Sequence, residues 1–110
     1  MTRALQDDVH FRVLRLLEQR PEISQRELAE EVGIALGKAN FVLAALTDKG
    51  LVKIRNFRNS DNKLRYAYIL TPAGLSAKAE LTAGFLRRKM AEYEGLKAEI
   101  EALQRENARP

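Results

Sequence analysis

Ser24-Gln25-Arg26-Glu27-Leu28-Ala29-Glu30-Glu31-Val32-Gly33-Ile34 is the stretch on which the fold turns. Ser24 with Glu27 three positions later forms a capping box: the hydroxyl caps the helix start and the carboxylate reaches back to the Ser24 amide. Leu28, Ala29 and Val32 then supply the inner face of a short helix. Gly33 ends it, because the left-handed conformation of a helix stop carries no Cβ penalty in glycine. Ile34 packs the turn. A second helix follows over about 36–49, with Ala39, Val42, Leu43 and Leu46 as its buried stripe and Gly50 as its stop. Two helices joined by a glycine turn, with the small Ala29 where they must approach, predict a helix-turn-helix.

Upstream, Val9, Val13, Leu16 and Leu17 recur at helical spacing, with Phe11 and Leu14 widening the stripe. This first helix ends near Arg20-Pro21, where proline lacks the amide hydrogen and clashes with the preceding turn. Downstream the period changes. Residues 51–57 and 64–70 are rich in β-branched and aromatic residues and flank the polar run 58–63, which predicts a hairpin. A ribbon this small needs helices beneath it, so the face formed by Leu64, Tyr66, Tyr68 and Leu70 is expected to supply core. Thr71-Pro72 opens a last helix, threonine as cap and proline at the first position. The expected fold is mainly α with a small β-hairpin. It is a winged helix-turn-helix over residues 1–70, followed over 71–110 by a long C-terminal dimerisation helix.

The charge is unevenly spread. The formal net charge is +4, and residues 51–70 alone carry five basic groups (Lys53, Arg55, Arg58, Lys63, Arg65) against Asp61. Residues 24–50 are slightly acidic. A local basic excess on the hairpin points to a polyanion held there, double-stranded DNA in this setting. The outward positions of the second motif helix are Gly37, Lys38, Asn40, Phe41 and Ala44, with Ala35 just before it. Its N-terminal half is expected in the major groove. There Asn40 can pair with adenine, Lys38 can neutralise a phosphate, and Phe41 or Ala44 can touch a thymine methyl. Ser24 and Gln25 at the start of the first motif helix join the candidate DNA contacts, as do Arg55, Arg58, Asn59, Lys63 and Arg65 of the wing. Arg58 at the wing tip suits the negative potential of the minor groove.

The C-terminal helix is too long for one small domain to cover: from 72 to 107 it would run about 54 Å at 1.5 Å per residue. Leu86, Tyr93, Leu96, Ile100 and Leu103 fall at heptad spacing, with Met90 beside them. These residues are the expected homodimer seam. A parallel pair would oppose Glu92 to Lys97, whereas an antiparallel pair would bring the glutamates together.

Other functions find little support. The single histidine, His10, has no cysteine or second histidine with which to share a metal, and the chain has no cysteine at all. No glycine-rich phosphate loop is present, and no constellation assembles a catalytic site, so no enzyme, cofactor or metal is expected. The N-terminus meets acid at Asp7-Asp8 where an export signal needs an apolar stretch, and no run reaches membrane-spanning length, so the cytoplasm is expected. The competing reading is a winged helix used for protein contact, with the C-terminal coil binding another chain.

Three stretches also carry a family resemblance. Residues 23–30 with Gly33-Ile34, then Lys49-Gly50-Leu51-Val52, then Leu70-Thr71-Pro72-Ala73-Gly74 resemble the MarR superfamily of winged-helix regulators. The segments His10 to Leu17, Arg55 to Asn59 and Arg88 to Glu94 look like a compact subgroup, the MarR-family EPS-associated transcriptional regulators. The resemblance implies a bacterial regulator linked to exopolysaccharide genes. Larger MarR proteins build their dimer from both chain ends and often hold a small aromatic ligand at that junction. Here little precedes the first helix and one helix follows the wing, which argues against such a pocket. Position 35 is alanine, where serine or threonine would cap better.

Overall fold

The computed structural model describes residues 3–58 and 60–109. Helix α1 (Arg3–Gln19) stops just before Pro21, which also biases Arg20 away from helical geometry. Helix α2 (Gln25–Val32) begins with the capping box complete: the Glu27 amide donates to Ser24 Oγ at 3.1 Å and the Ser24 amide to Glu27 Oε1 at 3.3 Å. Those bonds from Ser24, aided by the charge of Arg20, hold the Glu27 carboxyl below its ordinary range. Gly33 closes the helix at φ 82°, its amide donating to Ala29 O. Arg20 pairs with both Glu27 and Glu31, fastening the end of α1 to α2.

Helix α3 (Leu36–Asp48) starts at Ala35 without any side-chain cap, as that residue type dictates. Strands β1 (Val52–Arg58) and β2 (Leu64–Leu70) then pair antiparallel, Val52 opposite Leu70 and Arg58 opposite Leu64. Helix α4 (Pro72–Asn107) opens on Thr71, whose hydroxyl accepts from the Gly74 amide at 3.0 Å and donates to Gly50 O at 2.6 Å.

One core joins these elements. Val13, Leu14 and Leu17 of α1, Ile23 and Leu28, and Val42, Leu43 and Leu46 of α3 close over Val52 and Tyr68 at the root of the hairpin. The root is tied down twice more. The Tyr68 amide donates to Pro21 O at 3.0 Å, and Gln25 Nε2 donates to the Tyr68 hydroxyl at 2.8 Å. The expectation that the whole Leu64/Tyr66/Tyr68/Leu70 face is core needs correction. Tyr68 is buried and Leu70 half-buried, but Leu64 and Tyr66 are more than half exposed. Seven residues of strand run roughly 23 Å, and the helices reach only the root, so the distal half projects into solvent.

Helix α4 behaves as two segments. Its first half lies antiparallel on α1. Leu81 packs on the core, and the Phe85 ring meets Phe11 at 4.5 Å between centroids. Arg12 and Lys89 lie over that same Phe85 ring, Arg88 pairs with Asp8, and Lys78 with Glu18. From 91 to 107 every residue except Ala102 is exposed, and the molecule is drawn out to 68 Å along its longest axis.

His10 sits half-buried on α1. Burial, and then the charge of Lys49, lower its pKa from the ordinary 6.5, with Lys38 adding to the shift and Asp7 opposing it. In the unfolded chain the imidazole takes up a proton at higher pH than in the fold, so its contribution to stability is present above the unfolded pKa and is lost as pH falls through the folded value. Thermal melts between pH 7.5 and 5.5 should therefore fall on the acid side, and His10→Gln should flatten that part of the profile. An identical acid-side slope in the variant would show that other groups carry it.

Candidate nucleic-acid interface

Helical geometry places residues three and four apart side by side. Positions 37, 40, 41 and 44 thus form one contiguous patch on α3, and Gly37, Asn40, Phe41 and Ala44 are all exposed there. Phe41 is 68% exposed, so it does not pack beneath the hairpin. Lys38 is half-buried, its Nζ lying 5.6 Å from the centre of the Phe41 ring. Ala35 is exposed at the mouth of the helix.

A groove of about 300 Å³ runs between this face and β1, lined by Gln25, Asn40, Ala44, Thr47, Asp48 and Ile54, among others. It brings Gln25, Asn40 and Ala44 together, as residues on one surface should be. Thr47, Asp48 and Ile54 escape a reading of the sequence. A signal for the first two is present: they lie three and four positions beyond Ala44. Ile54 offers none, because its alternation with Arg55 reads equally well as core. Ser24 and Gln25 are half-buried and already engaged, the first in the capping box and the second with Tyr68.

The wing places its cations on both faces. Cross-strand partners share a face, so Lys53, Arg55 and Arg65 lie on one side and Arg58 on the other. All four are exposed. The Arg58 guanidinium donates to Asn62 O at 3.1 Å across the turn, where Asn62 takes φ 59°. Lys63 is exposed beside this turn, and Asn59 lies outside the described residues. Along α4, Leu86, Met90, Tyr93, Leu96, Ile100 and Leu103 are each 46–58% exposed. Among the described residues no cluster of His, Asp or Glu could hold a metal, and no helix is long and apolar enough to cross a membrane.

Comparison with known proteins agrees with this fold. A family model described as winged helix-turn-helix DNA-binding matches residues 6–53. The fold superposes on the PcaV transcriptional regulator of Streptomyces coelicolor, a structure solved with its natural ligand. That match has a TM-score of 0.64 at 24% identity, over 90% of this chain and 72% of that one. The chain has a winged helix-turn-helix fold. This winged-helix chain also matches a PadR-like transcriptional regulator of Bacillus cereus, with a TM-score of 0.73 at 17% identity over 86% of this chain and 97% of that one. A third match is Sso10a-2, a DNA-binding protein of Sulfolobus solfataricus, at TM-score 0.58 and 21% identity, over 88% and 94% of the two chains. No curated protein matches the sequence. The first two of these neighbours are transcriptional regulators and the third is a DNA-binding protein.

Proposed function

We propose that this protein is a sequence-specific transcriptional regulator that binds duplex DNA as a homodimer. The N-terminal half of α3 enters the major groove. The wing, residues 52–70, follows the backbone or the minor groove, and the distal part of α4 joins two copies. Two half-sites about one DNA turn apart are then read together. The family resemblance adds exopolysaccharide-associated genes in a bacterial cytoplasm as the setting, which a genome-wide binding profile would test.

The observation that carries the reading is the pairing of two surfaces. An exposed, uncharged helix face lies beside the one basic segment of the chain, and that segment projects beyond the core. The helix face has the shape to meet base edges, and the wing has the charge to meet phosphates. Each without the other would be an ordinary surface feature.

Salt titration separates the two roles. Removing Arg58 and Lys63 together should weaken binding to specific and random duplexes alike. The salt slope should fall by about 0.9 for each phosphate that is no longer neutralised. An unchanged slope would take the wing out of the interface. Retention of a specific protein with no DNA shift at any salt would favour the protein-contact reading instead.

A further inference from the structure

We infer that α3 reads A·T pairs, with the Phe41 ring set against a thymine methyl and Asn40 on the neighbouring adenine. This rests on the proposed DNA binding and specifies its chemistry. The α3 helix contains no arginine, so the side chain best suited to a forked contact with guanine is missing from it. Its one cation within the helix, Lys38, is half-buried with its ammonium over the Phe41 ring, beside the patch rather than at its centre. What the patch does present is apolar or amide: the Phe41 ring, the Ala44 methyl one turn on, and the exposed Asn40 carboxamide. In the major groove the thymine C5 methyl is the apolar feature that separates T from C, and the N7/N6 edge of adenine matches a carboxamide in both donor and acceptor.

Gly37 points the same way. A Cβ at this position would have nothing within 4 Å, and no positive φ occurs there, so neither packing nor backbone conformation demands glycine. Glycine inside a helix weakens it relative to alanine. Its missing side chain clears the surface between Asn40 and Phe41, which allows base edges to approach the helix backbone.

The test selects bound duplexes from a pool with a randomised 30-base-pair centre, using the full-length protein. The expected half-site contains at least one thymine at which deoxyuridine weakens binding about fourfold, the factor for one buried methyl group. Phe41→Ala should bind the thymine and deoxyuridine duplexes equally well. Phe41 is exposed, so the variant should fold, and an unchanged circular-dichroism melt checks that it does. An enriched site centred on G·C pairs, or one indifferent to every thymine-to-deoxyuridine exchange, overturns the inference and leaves the DNA-binding reading standing. A pool with no enrichment and no salt-sensitive binding removes both.

Discussion

Alanine at position 74 is expected to destabilise the fold by about 3 kcal/mol, at the upper end of ordinary overpacking. A Cβ on Gly74 would lie 2.0 Å from Leu51 O and 2.9 Å from Leu51 C, both backbone atoms that no rotamer change can move. Leu51 is fixed from two sides: its amide donates to Leu46 O at the end of α3, and its carbonyl accepts from the Thr71 amide. Relief therefore requires either the first turn of α4 or the junction of α3 and β1 to shift. Both movements also strain the Thr71 hydroxyl, which bridges Gly50 O and the Gly74 amide. A displacement at the start of α4 carries down the helix to Leu81 and Phe85, which pack on α1. The melting temperature should fall by more than about 10 °C. Gly95→Ala is the control. Its Cβ would meet nothing within 4 Å, and replacing glycine in a helix should stabilise by roughly 0.5–1 kcal/mol. A neutral Gly74→Ala would mean that the first turn of α4 does not sit against Leu51.

The elements legible in the sequence are those fixed by local chemistry. Ser24 with Glu27, Gly33, Pro21 and Thr71-Pro72 each act within one turn of chain, and all of them set an element boundary where expected. The inward stripe of α3 is legible because a helix buried on one side must repeat at 3–4 residues, and Ala39, Val42, Leu43 and Leu46 are buried. The hairpin core is misread for a matching reason. Alternation says which residues share a face but not how far along the strand the helices extend, so Leu64 and Tyr66 look like Tyr68 in sequence. The contacts that fasten α4 are invisible. Phe11 and Phe85, or Asp8 and Arg88, are brought together only by the antiparallel course of two helices far apart in the chain. Arg88 is paired in the same way, and Lys89 lies over Phe85 and bonds Glu92.

Charging the distal seam is expected to separate the two copies and to cost DNA affinity by about a hundredfold or more, the scale on which bivalent binding exceeds one module. The variant is Leu96→Glu with Ile100→Glu. Both residues are exposed in the single chain, so the winged-helix core should melt as before while the sedimentation coefficient falls to that of a monomer. The proposed pairing is motivated by the helix itself. Residues 91–107 have almost no cover within the chain, and in proteins most helical stability comes from packing of an apolar face rather than from propensity. Held against a second copy, Tyr93, Leu96, Ile100 and Leu103 meet as alternating seam positions, which protects the backbone amides of this segment. Hydrogen exchange there should be slow in the parent protein and fast in the double variant. Charge offers a test of the direction of the proposed pairing. In a parallel pair Glu92 flanks the seam opposite Lys97 of the second copy, so Lys97→Glu should weaken the dimer and adding Glu92→Lys should restore it. Glu92→Lys alone separates the two directions: it should weaken a parallel pair by opposing two lysines and strengthen an antiparallel pair by relieving the clustered glutamates. A parent protein that sediments as a monomer at micromolar concentration and binds DNA one to one would remove the dimer. The modest contacts of α3 and the wing would then have to account for all the affinity from a single half-site.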